Sequence, residues 1–221
     1  MLEEVCKKYH NEIDEILGAL EYGFYEGLED YTFEEDVVYP FQEHYNKPFG
    51  WNNGATKGVL IFKDLGFVIK IPFSMSDGEE LCGADEGNTC WDYCSQEENR
   101  YKLAKENRLQ NIFLKTSLIG EVEDYPIYIQ LFAEPLSCIN ENNHFSSTKE
   151  DRAIVKNIIE ENNYDYIDSW WEADIFTVYG GKYYKKFKKF VKEAHIRDLR
   201  SANIGYIGLK PVIFDYAGYN S

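Results

Sequence analysis

Three polar residues near the end of the chain, Asp198, Asn203 and Asp215, stand at spacings that could build a metal site. They lie in HIRDLRSANIGYIGLKPVIFDYAGYNS, residues 195–221. Asp198 and Asn203 form the interval D-x-x-x-x-N with Arg200 between them. A strand–turn–strand pattern follows: Ile204–Tyr206, a turn at Gly208, then Val212–Phe214 running into Asp215. A hairpin doubles the chain back, so Asp215 is expected beside Asn203. An acid and an amide oxygen suit a hard cation such as Mg²⁺, which selects oxygen ligands. Asp198 would face the same space, where a carboxylate can orient or deprotonate an acceptor hydroxyl. The plain alternative is an acidic hairpin capped by Asx turns.

Earlier in the chain, Val68-Ile69-Lys70-Ile71 sets a lysine among branched apolar neighbours on a strand. Such a lysine either snorkels from an edge or points into a cleft to meet an anion. Glu97, one helical turn before Tyr101, is placed to pair with it, and Glu98 is the alternative on a neighbouring face. Asn53-Gly54-Ala55-Thr56-Lys57-Gly58 leads into a strand, and glycine lets backbone N–H groups approach a polyphosphate. Any hairpin entry can carry two glycines, and the spacing is not GxGxxG.

The elements that must position these residues read as follows. Apolar residues Leu2, Val5, Tyr9, Ile13, Ile16, Leu17 and Leu20 recur at helical spacing and predict an opening helix. An irregular, acidic and aromatic stretch follows. Val59–Phe62 and Phe67–Ile71 read as a hairpin, residues 74–90 as a loop, and Trp91–Leu109 as a helix. Phe113–Ile119 and Tyr125–Phe132 form a second hairpin across the acidic turn Glu121–Asp124, broken by Ala133–Leu136. A helix over Asp151–Glu161 has Ser147 or Thr148 as cap. In residues 180–199, Tyr183, Tyr184, Phe187, Phe190, Val191 and Ala194 make one helical stripe with six lysines around the remainder, which describes a half-buried helix with a solvated basic face. Helices and strands in this order are α+β, not alternating βαβ.

Composition narrows the partners. The 221 residues, 44% hydrophobic and 16% aromatic, can bury a core. A net charge of -16 repels nucleic-acid phosphates and anionic membranes and favours basic partners, so direct nucleic-acid binding is not expected. No window reaches the roughly 18 apolar residues of a membrane span. Five cysteines without a leader pattern fit a reducing, cytoplasmic setting. Cys82, Cys90 and Cys94 lack paired CxxC spacing and a nearby histidine, so free thiols are expected there rather than zinc.

Taken in order, the pieces resemble the protein-kinase-like superfamily. They are a VAIK-type strand lysine (VIK, Lys70), a helix glutamate (Glu97), the H-R-D-L-x-x-x-N loop (RDLRSAN) and a D-F-G equivalent (DYAG). The resemblance runs from about Phe49 to Tyr219. It implies a bilobal α+β fold. Residues 1–48 would be an acidic helix and extension, 49–135 an N-lobe with a five-stranded antiparallel sheet and one helix, and 136–221 a minimal helical C-lobe, with a hinge near Gln130–Pro135. It also implies ATP and Mg²⁺. Gly54, Thr56, Lys70 and Gln130 would hold the nucleotide, with Glu97 orienting Lys70. Asp198 would be the base, Arg200 a neutraliser of phosphate charge, and Asn203 and Asp215 the metal ligands.

The sequence departs from the pattern at several points. His195 lies three residues before Asp198 because Ile196 intervenes, the phosphate loop lacks the usual glycines, and Tyr216 replaces phenylalanine. RDLRSANIG is also similar to the aminoglycoside-phosphotransferase and choline-kinase branch, which carries D-L-H-x-G-N. The sequence ends at Ser221 without an activation segment or A-P-E, so the expectation is a kinase truncated after its D-F-G equivalent rather than a conventional peptide kinase. Two functions follow. One is an ATP- and Mg²⁺-dependent phosphotransferase acting on an unknown acceptor. The other is an inactive pseudokinase or acidic inhibitor, of phage or mobile-element origin, acting on a basic protein partner.

Overall fold

The computed structural model describes residues 1–22, 33–54, 56–72, 74–75, 81–82, 92–136, 153, 157, 160–161, 170–196 and 199–217. The chain is α+β and divides into two units: Met1–Glu98 with Lys115–Phe132, and Asn99–Leu114 with Ala133–Ser221.

Unit 1 begins with two helices where the periodicity predicts one. Helix α1 (Leu2–Lys8) ends at Tyr9, which leaves helical geometry at φ -113° and ψ 28°, and α2 (His10–Leu20) resumes at once. The Tyr9 carbonyl still accepts the Ile13 N–H at 2.9 Å, so the apolar stripe crosses the break. The stretch expected to be irregular contains a π-helical turn, Glu34–Val38, running into α3 (Tyr39–His44). Pro40 sits in the first turn of α3, where its missing N–H costs little.

The sheet follows: β1 (Gly50–Asn53), β2 (Lys57–Phe62) and β3 (Phe67–Pro72), then a ribbon of β4 (Ser74–Met75) with β5 (Leu81–Cys82). Helix α4 (Tyr93–Glu106) starts in unit 1 and ends in unit 2. Strands β6 (Thr116–Val122) and β7 (Tyr125–Leu131) complete an antiparallel sheet of order β1-β2-β3-β7-β6. The β2–β3 turn closes on Gly66 at φ 79°, a left-handed position that glycine takes without strain.

Pleating gives the sheet two chemically different faces. Leu60, Phe62, Phe67, Ile69, Ile71, Ile127 and Ile129 form one face and share a single core with Ile13, Ile16 and Leu20 of α2, Val37 of the π-helical turn, Phe41 of α3 and Tyr45 just after it. Residues 1–48 are therefore part of this unit through a common core, and the unit boundaries fall at 98/99, 114/115 and 132/133. Val59, Lys70, Tyr128, Gln130 and Thr116 alternate onto the opposite face. The Phe33 ring packs against Gly58, where a Cβ would come within 1.9 Å of it. Gly58→Ala must displace a buried ring. It should lower stability by about 1–3 kcal/mol in a urea titration, and an unchanged midpoint would contradict this packing.

Unit 2 holds β8 (Glu134–Pro135), α5 (Trp170–Tyr179), α6 (Gly181–Glu193), β9 (Ile204–Ile207) and β10 (Lys210–Ile213), with strand order β10-β9-β8. On α6, Tyr184, Phe187 and Phe190 are buried while Tyr183, Val191 and Ala194 flank the same core, so the predicted stripe is the packed face. Lys188 reaches back to the buried Glu172 carboxylate at 2.8 Å. Phe113 bridges Ile213 in parallel, with Ile213 N–H donating to the Ile112 carbonyl at 2.7 Å and Leu114 N–H to the Ile213 carbonyl at 2.9 Å. Of the helix expected over 151–161, the described residues 153, 157, 160 and 161 are helical, while its caps at 147 or 148 and most of the loop over 74–90 lie outside the described residues. Among the described residues no helix is long and apolar enough to cross a membrane.

Candidate functional site

In unit 1 the polar sheet face carries a buried network centred on Glu97. β3 is buried along its whole length, so Lys70 has no edge from which to reach solvent and its ammonium must find an anion inside. Glu97 Oε2 accepts from Lys70 Nζ at 2.7 Å and from the Thr116 hydroxyl at 2.7 Å, and its Oε1 accepts from Lys57 Nζ at 2.6 Å. The Thr116 hydroxyl has one proton, which goes to the carboxylate, so its oxygen is left to accept from Gln130 Nε2 at 2.8 Å. Glu97 and Thr116 are fully buried, Gln130 and Lys70 nearly so.

The helix that aims Glu97 is itself fixed to the sheet. Asp92 caps α4, its Oδ1 accepting the Ser95 N–H at 2.9 Å, while Oδ2 accepts the Tyr128 hydroxyl at 2.5 Å. Burial, with help from this Asp92 contact, pushes the Tyr128 hydroxyl far above its ordinary pKa. Cys94, one turn before Glu97, is fully buried. Burial raises its thiol far above the usual range despite the nearby Lys57 charge, so it packs as a neutral group and not as a nucleophile. Gly54 and Thr56 lie in the turn that leads into Lys57, where Gly54 N–H donates to the Lys57 carbonyl at 3.0 Å.

In unit 2 the closing hairpin sets Asn203 against the residues after β10. Ile204 pairs with Ile213, and the Phe214 N–H donates to the Asn203 carbonyl at 3.1 Å. Asn203 is buried at the end of a 3₁₀ turn, Ser201–Asn203, whose N–H it donates to the Arg200 carbonyl at 2.9 Å. Asp215 is half-buried, and Arg200 is exposed. Tyr216 anchors Asp215 from the next position. Its hydroxyl donates to the Leu114 carbonyl at 2.6 Å, its carbonyl accepts from the Arg100 guanidinium at 2.8 Å, and its ring meets Phe113 edge-on at 5.0 Å. Asp198 lies outside the described residues.

The structure thus joins Lys70, Glu97 and Gln130 in one network of unit 1 and places Asn203 close in sequence register to Asp215 in unit 2. Lys57 and Thr116 also belong to the first network, although sequence reasoning assigned neither. The signal for Lys57 was its place in the glycine-bearing segment 53–58, at the entry to a strand whose neighbour carries Lys70. An amide oxygen and a carboxylate fit Mg²⁺ by donor chemistry, and two lysines behind a glycine-bearing turn fit a polyphosphate. Among the described residues no three histidine, cysteine, aspartate or glutamate side chains gather as a ligand set. Of the cysteines considered for zinc, Cys90 lies outside the described residues. No family model, no curated protein and no solved structure matches this chain.

Proposed function

We propose that the chain is a small kinase-like protein, bilobal in the manner of that superfamily, that binds ATP and Mg²⁺ and transfers phosphate to an acceptor hydroxyl. The observation that carries this reading is the buried Lys70–Glu97 ion pair: a central-strand lysine and a helix glutamate meet at 2.7 Å across 27 residues of sequence. ATP would supply the transferable phosphoryl group, with Mg²⁺ balancing its charge. Lys70 holds phosphate oxygens and Glu97 keeps its ammonium in place. Asn203 and Asp215 offer oxygen ligands to the metal. Asp198 takes the proton of the acceptor hydroxyl, and Arg200 offers positive charge to the phosphate. Chemistry of this kind rests on positioning and electrostatics.

The test is label transfer from radioactive ATP to hydroxyl acceptors, with Asp198→Ala in parallel. Transfer should fall by roughly 10²–10⁴-fold in the variant. Transfer unaffected by the change removes Asp198 as the base.

A second reading, an inactive pseudokinase or acidic inhibitor of a basic protein, is favoured by the net charge of -16 and by exposed Glu3, Glu4, Asp14, Glu15 and Glu21 on the first two helices and the residue after them. Salt-sensitive binding of polylysine by a chain that ATP does not stabilise would favour it.

A further inference from the structure

Helix α6 carries six lysines and one glutamate, so the other residues of the chain hold 17 basic against 38 acidic side chains. Positive charge is thus gathered on one element of an acidic protein. Lys188 reaches the buried Glu172, while the other five lysines are exposed. Lys182, Lys185, Lys189 and Lys192 follow the spacing i, i+3, i+7, i+10. That sets them in one row about 15 Å long, with Lys186 beside it. Lys189 stands 3.6 Å from the exposed Glu193. Lys182, Lys185, Lys186 and Lys192 make no ion pair among the described residues. The row is firmly mounted, because Tyr184, Phe187 and Phe190 on the opposite side are buried in the core of unit 2.

As a face that only had to meet water, this row is costly. Like charges three and four residues apart destabilise a helix. Lys182 also stands in the first turn, where the helix dipole disfavours a cation and no acidic residue offsets it. Mixing signs along the face would remove both costs, and the chain uses 39 acidic residues elsewhere or beside it.

Three features select the kind of anion. All six cations are lysine, a compact point charge, and none is arginine, whose fork suits phosphate. The four aromatic residues of α6 pack on the core, which leaves none on the exposed face for bases to stack on. The apolar side is buried in the same way, so the helix has none to lay into a membrane interface. A long polyanion would also run off the row onto an otherwise acidic chain. We propose that the exposed row of α6 docks a short acidic segment of a partner protein, whose carboxylates lie along the lysines. At physiological salt, charges act over about 8 Å, so such a segment feels the row more than the net charge of the chain. This surface is independent of the ATP reading, and its polarity is opposite to that of the acidic faces of α1 and α2.

The experiment is fluorescence anisotropy of a labelled glutamate-rich peptide of about twelve residues, long enough to follow the row. Its glutamine counterpart, a single-stranded RNA of similar charge and phosphatidylserine vesicles are run beside it. The full chain is compared with the triple variant Lys185→Gln, Lys189→Gln, Lys192→Gln. The control is Lys7→Gln, Lys105→Gln, Lys210→Gln, which changes net charge equally at exposed sites elsewhere. Wild type should bind the glutamate peptide, more weakly as salt rises from about 0.05 to 0.5 M, and not the glutamine peptide. The α6 variant should bind roughly five- to a hundredfold more weakly, and the control within about twofold of wild type.

The α6 variant also relieves like-charge repulsion, so in urea it should be at least as stable as wild type, which separates lost docking from lost folding. A destabilised α6 variant overturns the proposal by making the lysines residues of the fold. So do an α6 variant that binds like wild type, a control weakened as much, and a wild-type chain that does not bind the peptide. RNA or vesicles bound more tightly than the glutamate peptide overturn the choice of partner and with it the proposal.

Discussion

Glu97→Gln is expected to destabilise unit 1 by about 3–5 kcal/mol, the usual cost of removing one member of a buried ion-pair network. In a chain of this size that corresponds to roughly 6–20 °C in melting temperature. The carboxylate is fully buried and accepts from Lys57, Lys70 and Thr116. The amide preserves shape but leaves two buried ammonium groups facing a neutral group, and its NH₂ cannot accept at the second oxygen position. Glu98→Gln is the control, since Glu98 is only partly buried and is expected to cost less than about 1 kcal/mol. The pair of variants separates the two glutamates that the sequence left as alternatives. A Glu97→Gln chain as stable as wild type would contradict the network.

The parts of the fold legible in the sequence were those whose signal is local. The β2–β3 hairpin announces itself by two β-branched and aromatic runs around a turn that ends on Gly66. The β6–β7 hairpin does so through its acidic turn, where Glu123 and Asp124 both adopt positive φ, at 47° and 67°, as a two-residue hairpin turn requires. The α6 stripe was legible because its period is uninterrupted. The parts that were not legible lack a period. β1 is Gly-Trp-Asn-Asn with every side chain exposed, so nothing alternates. The segment entering α3 mixes aromatics and acids around a π-helical turn, which shifts the register of its buried residues Val37, Val38 and Phe41. The break at Tyr9 is a backbone event within a continuous apolar stripe.

The candidate site divides along the same line. Lys70 stood out because a charge in Val-Ile-Lys-Ile is anomalous, and Glu97 because helical spacing limited the choice to two residues. Asn203 and Asp215 were linked by one short hairpin, which sequence can foresee. Lys57 and Thr116 join Glu97 only through strand register and through the order β2-β3-β7-β6, which no local pattern encodes. Gln130 was assigned through the resemblance, and in the structure its Nε2 donates to Thr116. Asp198 lies outside the described residues, so its role rests on the resemblance and on the transfer assay.

Magnesium-dependent binding of ATP is the central claim, and thermal unfolding with and without the metal tests it most directly. A ligand at a hundred times its Kd stabilises the native state by about 2.7 kcal/mol, which is roughly 5–11 °C for a chain of this size. Asp215→Asn keeps the size of the side chain and removes the anionic oxygen pair that a hard cation prefers. The expected result is a rise in melting temperature with ATP and Mg²⁺ in wild type, which chelation of the metal removes and Asp215→Asn does not show. A wild-type chain whose melting temperature is unmoved by millimolar ATP and Mg²⁺, or an Asp215→Asn variant stabilised as much as wild type, would contradict the account.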